Sequence, residues 1–154
     1  MSGNNIQLSH DELSSLHKEI DLIQNCITRM AQNSFMIRGW AISIVVITWA
    51  IIGIVESWGS IALILLLLPI LMFWYLDAFF LMTERRYRDM YKSILEKRLK
   101  DKNFENMYDL NPNNFKNGFM DLPKCMISKT LWPFYLSLIV VVVVAITLQF
   151  LLCI

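Results

Sequence analysis

Residues 61–88 read IALILLLLPILMFWYLDAFFLMTERRYR. The first part, Ile61 to Met82, is apolar at almost every position, and a helix needs roughly 20 such residues to cross about 30 Å of hydrocarbon. The second part turns abruptly charged, with Arg85, Arg86 and Arg88 close together. A membrane-spanning helix leaving the bilayer reads this way. One residue does not fit the run. Asp77 sits inside it, where an ionisable group is costly and usually faces protein rather than lipid. Pro69, at mid-depth, removes a backbone donor and is expected to kink the span.

Two further runs have the same character: Trp40 to Ser57 (WAISIVVITWAIIGIVES) and Leu131 to Ile154 (LWPFYLSLIVVVVVAITLQFLLCI). The chain of 154 residues is 56% hydrophobic and 18% charged, whereas soluble domains are about 25% charged. Together these observations give an all-α integral membrane protein with three transmembrane helices. About 40 mostly polar residues precede the first run, so none of the three runs reads as a cleaved signal peptide. No Lys or Arg lies between the first two runs or within the third, so all 14 basic residues fall on one side. The positive-inside rule makes that side cytoplasmic. The expected topology is N-terminus inside and C-terminus outside. Trp40, Trp58, Trp74, Tyr75 and Trp132 fall near the expected boundaries, as an aromatic belt requires.

Ahead of the first run, Ser9 and Glu12 have the spacing of a capping box. Apolar residues then recur at heptad spacing through Leu13, Leu16, Ile20, Ile23, Ile27 and Met30, a seam suited to assembly into a homo-oligomer. The register continues through Ser34, Ile37, Ala41, Ile44, Thr48, Ile51 and Val55 with no proline from Ser9 onward. One long helix is therefore predicted, half cytoplasmic stalk and half membrane span. One heptad position changes character on entering the membrane, from Leu13, Ile20 and Ile27 to Ser34, Ala41 and Thr48. Small side chains there suit close helix packing in lipid or the wall of a narrow pore. Ser34, Ala41, Ile44, Thr48, Ile51 and Val55 are the pore-lining candidates.

The organisation follows: 1–39, a cytoplasmic N-terminal helix with the seam; 40–82, a transmembrane hairpin; 83–130, a cytoplasmic basic helix and an Asn-rich connection; 131–154, the third transmembrane helix. The second helix is predicted to run on through Lys102, with Tyr87, Met90, Tyr91, Ile94, Leu95 and Leu99 on one apolar face. Glu84–Arg88, Arg85–Asp89 and Glu96–Lys100 stand at ion-pair spacing on its surface. Because the hairpin turn near Gly59 is short, this helix is an antiparallel neighbour of the N-terminal one. NPNNFKNG, Asn111 to Gly118, is a turn signal.

The chemistry is sparse. There is no phosphate-cradling glycine loop, HExxH or GxSxG, so no catalytic residue, cofactor or metal is expected and the chain is read as not an enzyme. His10 and His17 read as a solvated helix face. Cys26, Cys125 and Cys153 fit no metal or redox spacing. Counting down the hairpin places Asp77 near the level of residue 41, with Arg38 within reach. An intramembrane Asp77–Arg38 ion pair tying the helices together is the favoured reading, against an ion-binding or proton-relay role. The basic face Arg85, Arg86, Arg88, Lys92, Lys97 and Arg98 has three readings: topology and solvation, anionic lipid headgroups at Arg85 and Arg86, or a nucleic-acid or nucleotide ligand held through phosphate contacts.

Two stretches carry a family resemblance: RMAQNSFMIRGW, Arg29 to Trp40, entering the first span, and FWYLDAFFLMTERRYRDMY, Phe73 to Tyr91, leaving the second. The pairing resembles the HalA-type membrane effectors of the Hailong anti-phage defence system and, more distantly, SLATT-type two-span effectors. The third span is an addition to the two-span pattern. The resemblance implies an oligomeric channel in a prokaryotic cytoplasmic (inner) membrane. Such a channel is held shut by a single-stranded DNA oligomer or nucleotide ligand from a partner nucleotidyltransferase, and opens on infection. The residues independently require that any pore be oligomeric, because three spans cannot enclose a water path. The expected function is thus a gated homo-oligomeric pore. The alternatives are a membrane anchor or adaptor that recruits a soluble partner without forming a pore, and a small transporter subunit in which Asp77 faces a cavity.

Overall fold

The computed structural model describes residues 9–52, 59–100, 107–115 and 121–152. These form α1 (His10–Ile52), α2 (Gly59–Leu99), a single 3-10 turn (Pro112–Phe115), α3 (Asp121–Met126) and α4 (Trp132–Leu152). No strand occurs among the described residues. Three helices are long and apolar enough to cross a membrane.

α1 starts where its cap dictates. The Ser9 backbone N–H donates to Glu12 Oε2 at 2.8 Å, and the Glu12 N–H donates to Ser9 Oγ at 3.2 Å. Two otherwise orphan donors are satisfied reciprocally. With no internal proline or further breaker, α1 then runs for 43 residues, or about 64 Å at 1.5 Å per residue. α2 runs for 41 residues and passes through Pro69 as continuous helix. Each is about twice the hydrocarbon thickness of a bilayer. Val55 lies outside the described residues.

α1 and α2 pack antiparallel over most of their length. Among residues 10–45, the buried stripe of α1 is Leu16, Glu19, Ile23, Ser34, Ile37, Ala41 and Val45. Opposite it, Ile23 meets Met90 and Ile94, with Ile27, Tyr87, Tyr91 and Leu110 around them. Met90 and Ile94 form the centre of the α2 face, while Leu99 at its predicted edge is exposed. In the apolar half, Ala41, Val45, Leu66, Ile70, Ala78 and Met82 join Leu131, Tyr135 and Val142 of the α4 region in one core. α4 thus completes a three-helix unit only within the apolar half.

The heptad seam is present, but it faces α2 of the same chain. Leu16 and Ile23 are buried there, Ile20, Ile27 and Met30 are half-buried, and Leu13 is exposed. Within one chain, Leu16 and Ile23 are the two seam residues that are fully covered. Residues 107–115 and 121–130 of the Asn-rich connection are described. Leu110 and Leu122 pack onto the two cores. The short helix α3 was not predicted, because Pro123 reads as a breaker although it sits in a first turn, where its missing N–H does no harm.

Candidate functional site

Asp77 is fully buried on α2, and three side chains from two other helices converge on it. From α1, Ser34 donates its hydroxyl to Oδ1, and Arg38 donates Nε to Oδ2 at 2.7 Å. From α4, Tyr135 donates its hydroxyl to Oδ2 at 3.1 Å and lies 3.3 Å from the Phe73 carbonyl. Arg38 also reaches the Ser34 hydroxyl through Nη2 at 3.3 Å, and its guanidinium sits 5.9 Å from the Phe134 ring centroid. The Asp77–Arg38 pair expected from the hairpin register is therefore formed. Ser34 is its second partner, and Tyr135 is a third, which nothing in the residue spacing locates.

Aromatic packing holds the tyrosine. Trp74 stacks on Tyr135 with ring centroids 5.9 Å apart, and Phe134 meets Tyr135 edge to face at 5.0 Å. The Trp74 indole donates to the Met126 carbonyl at the end of α3, at 3.0 Å. That bond satisfies a helix-terminal carbonyl and fixes the approach of α4. The carboxylate thus has three donors and a counter-charge of which 30% remains exposed. A carboxylate whose lone pairs are turned to the protein's own donors is a structural tie. The arrangement favours that role over the ion-binding one.

A second buried pair lies at the other end of the hairpin. Glu19 is fully buried and Arg98 is 4% exposed. Arg98 donates Nε to Oε2 at 3.3 Å and Nη2 to Oε1 at 3.2 Å, and the Tyr108 backbone N–H donates to the same Oε1 at 3.1 Å. Tyr108 adopts φ 65° to do so, a left-handed conformation uncommon outside glycine. Residues 109–114 continue this strap: Asp109 accepts from the Asn111 N–H at 3.2 Å and from Asn114 Nδ2 at 3.1 Å.

These contacts redistribute the sequence-predicted residues. Ser34 and Ala41 are buried against the chain's own helices, Ile44 and Thr48 are half-buried and Ile51 is exposed, so the pore-lining candidates do not form one open face of the protomer. Arg98 leaves the basic face for the pair with Glu19. Arg88 pairs with Glu84 at 2.6 Å, and Lys100 with Glu96 at 2.6 Å, as the spacing predicts. Arg85 turns to Cys125, with Nη1 3.5 Å from Sγ, rather than to Asp89. Arg86 Nη2 lies 3.2 Å from Met82 Sδ. Lys92 and Lys97 are exposed. Lys100 depresses the Glu96 carboxyl below the usual range through a hydrogen bond and its charge. Burial raises the Tyr87 phenol, with a smaller contribution from neighbouring Cys26.

Among the described residues, no three His, Cys, Asp or Glu side chains gather as a metal site. No family model, curated protein or solved structure matches the chain.

Proposed function

We propose that the chain is the subunit of a homo-oligomeric gated membrane pore, with its charged half on the cytoplasmic side. The supporting observation is mechanical. α1 and α2 continue without interruption from the apolar half into the charged half, and buried ion pairs fasten them at both levels. A ligand acting on the charged half would move the spans directly. An anchor needs no such rigid coupling. With Ser34 and Ala41 committed to packing, subunit contact and pore lining fall to the opposite face of α1, where Gly39, Ser43 and Ala50 are exposed. Small side chains there permit close approach in lipid. Lys92 and Lys97, exposed on the distal part of the basic face, are the cations we assign to a phosphate-bearing ligand. The anti-phage role, and a single-stranded DNA oligomer or nucleotide as that ligand, are carried by the resemblance of the two span-flanking stretches.

The test is ion flux from liposomes holding the purified chain, with and without single-stranded DNA oligomers. Flux that the oligomers suppress supports a ligand-gated pore. No flux from protein shown to be inserted and oligomeric removes the pore. A second reading, a membrane anchor or adaptor, is favoured by the use of the heptad seam inside one chain. It requires a soluble partner that co-purifies through the 83–130 region and no flux.

A further inference from the structure

We infer that Arg85, Lys124 and Lys129 bind the phosphate headgroup of an anionic phospholipid in the leaflet on the basic side. This depends on the three apolar helices lying in a bilayer and is independent of whether the chain conducts.

The membrane boundary can be located from the site. Contacts with Asp77 bring Arg38 and Tyr135 to one level. Trp40, Tyr75 and Trp132 lie within two or three residues of that level, about 5 Å along the axes. All three rings are exposed, at 60%, 51% and 46%. Exposed Trp and Tyr at one level on three helices mark a bilayer interface. The headgroup layer begins there and is about 5–8 Å deep.

The basic residues lie just past that belt. Arg85 is eight positions beyond Asp77, about 12 Å along α2, and α2 runs outward with its N-terminus at the hairpin turn. Helical side chains lean toward the N-terminus, which for α2 is back toward the membrane. The contacts agree: Arg86 reaches Met82, and Arg88 reaches Glu84, each four positions nearer the bilayer. Arg85 reaches Cys125 on α3, and Lys124 is the adjacent residue of that helix. Lys129 follows in the turn into α4, three residues before Trp132 of the belt. Arg85, Lys124 and Lys129 are all exposed. Of the carboxylates near them in sequence, Glu84 is held by Arg88 at 2.6 Å, Asp89 stands one turn beyond Arg85, and Asp121 stands one turn before Lys124, against three cations. The balance is positive. A lipid satisfies both halves of this surface at once, with acyl chains on the exposed apolar residues of α2 and α4 and phosphate at the cations.

The experiment is native mass spectrometry of the full chain released from nanodiscs of mixed phosphatidylcholine and phosphatidylglycerol. Wild type should retain phosphatidylglycerol in preference to phosphatidylcholine. Lys124→Gln with Lys129→Gln should lower that preference, on the order of fivefold per charge removed, with helicity unchanged by circular dichroism. Adding Arg85→Gln should lower it further. Lys92→Gln with Lys97→Gln, on the distal part of α2, should leave it intact. Equal retention of the two lipids by wild type overturns the proposal. So does an equal loss from the distal pair, or displacement of the lipid by excess inorganic phosphate, which would identify a soluble-anion site.

Discussion

Glu19→Ala tests most directly how the hairpin is held. The carboxylate is fully buried, and Arg98 is 4% exposed. Two guanidinium hydrogen bonds at 3.2 and 3.3 Å and the Tyr108 N–H at 3.1 Å end on it. Deleting it leaves the guanidinium buried without its counter-charge. Such a loss costs about 3–5 kcal/mol. At about 1.4 kcal/mol per decade, amide-exchange protection across residues 90–99 should fall on the order of 10²- to 10³-fold. Replacing both partners with apolar residues, Glu19→Leu with Arg98→Met, removes both charges and leaves the Tyr108 N–H without its acceptor, so it should cost about 1–3 kcal/mol, less than the single change. Exchange is measured on the detergent-solubilised chain. Unchanged protection in Glu19→Ala, or a double variant that falls as far as the single, would refute the reasoning.

Asp77→Asn leaves one acceptor oxygen for three donors and turns an amide N–H₂ toward one of them, at a cost of about 1–3 kcal/mol; a melting temperature equal to wild type in micelles would contradict the three-donor geometry. At Tyr108, with φ 65°, glycine should hold or raise the exchange protection of the strap, whereas valine, β-branched and strained at positive φ, should lower it. In a Cys153→Ser background, a maleimide should label half-buried Cys26 faster than buried Cys125, and equal rates would contradict the packing of α3 on α2. Glu96, with its carboxyl depressed by Lys100, supports α2 fully above the unfolded carboxylate range and loses that support as pH falls through the lowered folded value. Lys100→Gln should return its NMR titration toward the ordinary carboxylate midpoint.

How much was legible in the sequence depended on whether a residue had a reference level. Arg38 and Asp77 are joined by a short turn, so helical rise alone sets them opposite each other. The same arithmetic carried outward along the antiparallel pair reaches Glu19 and Arg98. The signal was there, since Glu19 occupies the helical stripe of Leu16 and Ile23. The 3-4 spacing of the apolar seam steps from Leu16 to Ile20 and passes Glu19 by. Tyr135 had no such reference, because the connection from 101 to 130 carries no fixed register and its position opposite Asp77 exists only once α4 has packed. The heptad spacing identified the face of α1 that packs on its antiparallel neighbour α2, although a seam by itself reads the same whether the second helix belongs to the same chain or another. The Asn-rich composition likewise concealed α3, whose stability rests on Cys125 and Leu122 against α2 rather than on local propensity.

The two buried ion pairs also limit which motions the hairpin can make. They lie 19 positions apart on α1, about 28 Å along its axis, and one is in the apolar half while the other is in the charged half. A pair of rods joined at a single point can roll about their own axes and splay at the far end. Joined at two separated points, they lose rolling, sliding and splaying together, because each displaces at least one buried charge from its partner. What remains is motion of the α1–α2 pair as one body: tilt in the membrane, or displacement against α4, which is held through Tyr135, Trp74 and the shared core. Any conformational cycle of this protein therefore keeps the hairpin intact and moves its surroundings, or else opens a buried ion pair at a cost large enough to set the pace of the cycle.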